Sequence, residues 1–224
     1  MRNIRSHVLI VASALLIGMP IVADDIDTSQ SVNRVSLGGR AELARLLSGK
    51  GRDEDKVKAI ERLAELSKDL PGKENVAPSE LFNPILGVLS NPRNKKSVLL
   101  RRTACTSLIA FARLKGSKSI VAPLGAILKN GDEGAGVRRA AAIALGRFGN
   151  DAQAATTELV AALTAELQNG PRNTNIVLAG ELIDSLGRLK DKRSFVPLMR
   201  VISSPFPTRV KRRAQRALEN IKWE

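Results

Sequence analysis

The 224-residue sequence carries one histidine, one cysteine, one tryptophan and no tyrosine. His7 lies in an N-terminal segment read below as a cleaved leader, so the mature chain has no imidazole for general-base work, nucleophile activation or metal ligation. Cys105 has no second cysteine to pair with. A disulfide framework and a thiolate metal cluster are both excluded, and an oxidising compartment is tolerated without being exploited. Trp223 is the only tryptophan and aromatic residues make up 3% of the chain, which leaves few flat surfaces on which bases or sugars stack. Alternating apolar and polar residues, the mark of a strand, do not recur over any length.

What is present begins with a distinct leader. Arg2 and Arg5 precede an apolar run from Val8 to Val22, and Ala23 stands before Asp24 and Asp25. This is the layout of a secretory signal peptide, residues 1–23. An uncleaved anchor fits less well, because about 20 apolar residues are needed to span a bilayer and this run has 15 with Pro20 inside it. No cysteine follows the run, which argues against anchoring through a lipidated cysteine. Cleavage would leave 201 residues with 34 basic and 22 acidic side chains, a net charge of +12. Such a surface favours acidic partners and also keeps a protein soluble. Residues 24–36 are polar and short of large apolar groups and read as a flexible linker; residues 37–224 read as the folded domain.

A twelve-residue stretch recurs within that domain, starting at Leu100, Val137, Leu178 and Val210. The starts are 37, 41 and 32 residues apart, the spacing of a stacked supersecondary unit whose apolar face is buried only against a neighbour. In the second copy Val137, Ala141, Ala144, Leu145 and Phe148 follow the i, i+4, i+7, i+8, i+11 pattern of one helical face. Leu178, Leu182, Ser185, Leu186 and Leu189 hold the same places, as do Val210, Ala214, Ala217, Leu218 and Ile221. A more degenerate copy runs through Ala59, Leu63 and Leu66. Small residues at the inner positions allow another helix to approach closely.

Each first helix is followed by a second apolar segment, at Leu81 to Leu89, Ile120 to Leu128, Leu159 to Leu167 and Phe195 to Ile202. Pro84, Pro123 and Pro197 recur in three of them, and proline is tolerated in the first turn of a helix. The expectation is that the second helices start close to these prolines, with a kinked helix as the alternative. Turn-forming clusters at Asn91–Asn94, Asn130–Gly134, Asn169–Asn173 and Ser203–Pro207 separate the units. The fold predicted is all-α, an α-solenoid of about four to five helix pairs. Its ends should differ from its middle: Arg213 and Arg216 replace Ala140 and Ile143 in the last copy, and Ala41 to Leu47 forms a lone capping helix.

The run from Val137 to Gly149 resembles the first helix of the HEAT-like repeats of phycobilisome lyases, with Val-Arg-x-x-Ala-x-x-Ala-Leu-Gly-x-hydrophobic-Gly as its pattern. The resemblance extends over about residues 37–224, strongest in this copy and weakest in the first. It implies a helical-repeat fold. Some proteins with such repeats are bilin lyases, but the repeat itself does not carry that activity. The paired His-Glu ligands of di-iron HEAT hydroxylases have no counterpart here, and the aromatic and acidic residues of HEAT-type glycosylases are not evident.

Six cations fall at matching positions of their repeats: Arg101, Arg102, Arg138, Arg139, Lys211 and Arg212. Stacking would line them into a basic ridge for anionic partners, interrupted at Ala179-Gly180. The plainer alternative is a set of solvated or inter-repeat side chains. Lys129 and Arg200, on the second helices, are candidates for a partner held along the concave face. Cys105 reads as a small buried hydrophobe. Trp223 reads as a cover over the end of the core. Glu181 and Asp184 read as salt-bridge partners of Arg188 on the same helix.

No catalytic, cofactor or metal site is expected. The leading functional expectation is an exported, non-catalytic scaffold in the periplasm or outside a bacterial cell, not membrane-spanning once cleaved, and binding a protein partner of acidic character. A polyanion-binding protein, for anionic polysaccharide, lipid headgroups or nucleic acid, is the second. Export and scarce aromatics argue against nucleic acid. A bilin-lyase-like enzyme is the third.

Overall fold

The computed structural model describes residue 36 and residues 39–70, 76–171 and 173–223. The leader and nearly all of the linker assigned above lie outside the described residues. Within them are ten α-helices: α1 (Arg40–Ser48), α2 (Asp53–Leu66), α3 (Pro78–Ser90), α4 (Val98–Ser107), α5 (Lys118–Lys129), α6 (Ala135–Leu145), α7 (Ala152–Asn169), α8 (Asn173–Leu189), α9 (Phe195–Ser203) and α10 (Thr208–Glu219).

The helices stack in two layers. α2, α4, α6, α8 and α10 each pack on the next member of that series, and α1, α3, α5, α7 and α9 form the second series. Among sequence neighbours α1 packs on α2, α3 on α4, α5 on α6, α7 on α8 and α9 on α10, so the ten helices form five pairs; α1 is the partner of α2 and not the lone helix expected at the amino-terminal end. One continuous core runs from Leu43 to Ile221, with the leading and ninth positions of the repeats at its centre: Leu100, Val137, Leu145 and Leu186 are fully buried. Phe82 and Phe111 meet edge to face inside it, ring centroids 5.8 Å apart.

The tenth and eighth repeat positions explain how closely the first layer stacks. A Cβ added to Gly146 would lie 2.6 Å from the Cβ of Ser185 on the next helix, and one added to Gly187 would lie 3.0 Å from the Cβ of Ala217. Position ten of one repeat therefore meets position eight of the following one, and both must stay small.

Two further expectations are corrected. Pro84 and Pro123 sit well inside α3 and α5, which begin at Pro78 and Lys118; only Pro197 falls in the first turn of its helix. Pro78 takes the first-turn role in α3, where Glu80 Oε1 also accepts the Ala77 amide at 3.0 Å. Trp223 does not cover the core. It is 64% exposed and rests edge-on against Phe195, itself exposed.

The turns between units are side-chain directed. Asn91 Oδ1 accepts the Arg93 amide and Asn130 Oδ1 the Asp132 amide, each at 3.0 Å, which reverses the chain directly after α3 and α5. Lys190 ends α8 in a left-handed conformation, φ 58°, and its carbonyl accepts the Lys222 amide at 3.1 Å.

Candidate functional site

The expected basic ridge is not a ridge. Arg101 is 4% exposed; its Nε donates to Glu133 at 3.0 Å and its Nη1 to the Leu89 carbonyl at 2.7 Å. Arg138 repeats the arrangement one unit later: Nε donates to the Leu128 carbonyl at 2.8 Å and Nη2 to Glu166 at 2.7 Å. In both repeats the arginine fastens the carboxyl end of the preceding second-layer helix, where free carbonyls and the helix dipole favour a cation. Both side chains are engaged by carboxylates and carbonyls of the fold itself.

The other four positions diverge. Arg102 is exposed, and its Cδ lies 3.3 Å from where a Cβ on Gly136 of α6 would stand. Arg139 donates to Glu181 of α8 at 3.0 Å. Lys211 is half-buried and Arg212 exposed on α10. On the second layer, Lys129 is committed to Glu158 of α7 at 2.7 Å, whereas Arg200 is exposed and makes no ion pair among the described residues. Asp184 and Glu181 do not pair with Arg188 as expected. They reach across to Arg213 and Arg139 on neighbouring helices, and Arg188 instead donates to Ser185 Oγ at 2.7 Å.

That rearrangement creates a site the sequence did not announce. A groove of about 380 Å³ runs between α8 and α10, lined by Asp184, Arg188, Lys190, Arg213, Arg216 and Asn220, with Gly187 and Ala217 as its floor. Four cationic side chains face one carboxylate, and that carboxylate is already held by Arg213 at 3.0 Å. Arg188 is pushed below the usual guanidinium range, first by desolvation through partial burial and then by the neighbouring Arg147; Asp184 and Glu181 oppose the shift. The groove is thus short of negative charge. A carboxylate or phosphate placed there would meet Arg188, Lys190 and Arg216, none of which makes an ion pair among the described residues.

Sequence reasoning missed this groove because it combines one cation after the end of α8 with cations of the next repeat. The visible trace was the Arg213 and Arg216 replacement in the last copy. Only Gly187 and Ala217, whose small side chains set the floor, were legible as part of the repeat pattern.

Cys105 is fully buried, and burial raises its thiol to about 12. No group of three His, Cys, Asp or Glu side chains suited to a metal occurs among the described residues. No helix among them is long and apolar enough to cross a membrane.

Paired antiparallel helices stacked in two layers over one uninterrupted core define an α-helical repeat protein, a solenoid. The family model of the PBS lyase HEAT-like repeat matches residues 137–165, which is α6 with most of α7. The matched stretch is similar to one such repeat, and the all-α solenoid around it agrees with that repeat type. No curated protein matches it.

Proposed function

We propose that this chain is an exported, non-catalytic scaffold that holds a protein partner through an acidic segment seated in the groove between α8 and α10. The observation that carries the reading is the cation excess of that groove: Arg188, Lys190 and Arg216 make no ion pair among the described residues, and Asp184 is held by Arg213. Repeat scaffolds offer extended surfaces rather than enclosed reaction chambers, and this groove is open and flanked by two rigid helices. The leader-like residues 1–23 and the lack of histidine beyond them support export and a non-catalytic role.

Crosslinking of the chain in its native cell envelope, followed by recovery under denaturing conditions, tests the scaffold. The expected result is a discrete acidic partner, lost at least tenfold in R188Q/R216Q, since hydrogen bonds to charged groups contribute about 1.5–3 kcal/mol each. Capture of no envelope protein, or of the same protein at unchanged yield by the double variant, overturns the reading.

The polyanion alternative has lost its main support, because Arg101 and Arg138 are spent on Glu133 and Glu166 inside the fold.

A further inference from the structure

Four of the seven large apolar side chains exposed among the described residues cluster at the carboxyl-terminal end: Phe195, Val196, Met199 and Trp223. Phe195, Val196 and Met199 share the outward side of α9, the i, i+1, i+4 spacing of one helical face. The opposite side of that helix, Pro197, Leu198 and Val201, is buried in the core. Trp223 lies against Phe195 with centroids 5.1 Å apart and planes at 70°, which holds both rings outward as a pair. No further helix among the described residues stacks on α9 and α10 at this end. Scattered exposed leucines and valines need no explanation, but a contiguous patch on the flank of a terminal helix does.

The charge around the patch says what covers it. Lys192, Arg200 and Lys222 are exposed beside Phe195, Met199 and Trp223, respectively, in sequence or on the same helix turn. Asp191, four residues before Phe195, is held by Arg193. From Lys192 to Glu224 the sequence has nine basic residues and two acidic residues, Glu219 and Glu224. A second copy of the chain would bring this charge against itself, so self-association through the patch is disfavoured. Nucleic acid would use the cations but has no use for Val196 and Met199. Aromatic and aliphatic side chains ringed by lysine and arginine suit a surface that is apolar beneath and anionic at its rim: the headgroup region of an anionic bilayer.

We infer that the carboxyl-terminal end of the solenoid docks on anionic lipid membranes, with Phe195, Val196, Met199 and Trp223 entering the headgroup boundary and Lys192, Arg200 and Lys222 contacting lipid phosphates. The docking is peripheral. It is independent of the α8–α10 groove, so the two proposals stand or fall separately: a scaffold attached at its end leaves the groove free for a partner.

The single tryptophan makes the test direct, because all tryptophan emission comes from Trp223. The full chain is mixed with vesicles of phosphatidylcholine alone and with vesicles containing 30% phosphatidylglycerol, and emission is recorded with and without lipids brominated near the headgroup. The expected result is a blue shift and bromine quenching with the anionic vesicles only. Each cation near such a surface contributes about fivefold in binding at low salt, so K192Q/R200Q/K222Q should weaken partitioning at least tenfold. V196S/M199S should abolish the blue shift while R188Q/R216Q leaves it intact. Far-UV circular dichroism of each variant confirms that it is folded. Vesicle binding without any change at Trp223 would place the contact elsewhere on the chain and overturn the inference. So would emission already blue and shielded from iodide in the lipid-free chain, which would mean that another segment of the chain covers the patch. Shielding of Trp223 by an acidic protein with no response to vesicles would assign the patch to a protein partner instead.

Discussion

Arg101 and Glu133 form a two-point ion pair in which both side chains are almost wholly withdrawn from water, and it joins α4 to the turn before α6. Removing one member of such a pair strands the other charge at low dielectric, a loss of about 3–5 kcal/mol. R101A also frees the Leu89 carbonyl. Urea unfolding should therefore show R101A as severely destabilised and R102Q as nearly unchanged, although the two arginines are neighbours in sequence. The double variant R101M/E133L should recover most of the loss, because two apolar groups of similar volume remove the desolvation cost together. Equal effects of R101A and R102Q would show that the arginine is not fastening the repeats.

Close approach between first-layer helices predicts opposite outcomes for two glycine-to-alanine changes. At Gly146 the new Cβ would sit 2.6 Å from the Ser185 Cβ and 2.9 Å from its Cα, so backbone must move and G146A should lose about 1–3 kcal/mol. Gly87 is an exposed position inside α3 with nothing within 4 Å of the new Cβ. G87A should gain up to about 1 kcal/mol from helix propensity alone. Thermal melts of the two variants side by side check the contrast.

Cys105 gives a pH signature. Burial raises its thiol from an ordinary 9.0 to about 12, while in the unfolded chain it ionises near 9. Below pH 9 both states keep the proton and there is no penalty. As pH rises from 9 toward 12 the unfolded state releases its proton and the folded state does not, so stability falls by up to about 1.4 kcal/mol per unit. The difference in stability between the parent chain and C105A should be flat below pH 9 and should shift in favour of C105A above it. Ellman's reagent should label the native thiol only as fast as the protein opens.

The layers of the solenoid were legible because repeat periodicity fixes them: Val137, Leu145 and Phe148 point inward for the same reason in every copy. Individual ion pairs were not, since a helical arginine has neighbours on its own helix and on two others. Asp184 lies four residues before Arg188, yet bonds Arg213 across the helix interface. Arg101 and Arg102 are equivalent by composition, and only packing turns one inward and leaves the other exposed. Trp223 reads as buried on hydrophobicity alone, yet among the described residues no further helix stacks on α9 and α10 to cover it.

The same accounting bears on Arg188, whose charge is held against desolvation and against Arg147 without a full countercharge. Under the proposed function, a site kept short of negative charge is held at a cost in stability. R188Q should therefore raise the unfolding free energy at low salt only slightly, by roughly a few tenths of a kcal/mol because the side chain is exposed and its charge is screened, while weakening capture of an acidic partner. Anion binding reports on the same imbalance: millimolar pyrophosphate should raise the melting temperature of the parent chain, because a ligand that binds only the folded state stabilises it by mass action. The rise should shrink in R188Q and shrink further in R188Q/R216Q, and should be unaffected in R102Q, whose guanidinium lies over α6. An equal rise in all four proteins would mean that pyrophosphate acts as a general salt, and the groove would then have no special claim on anions.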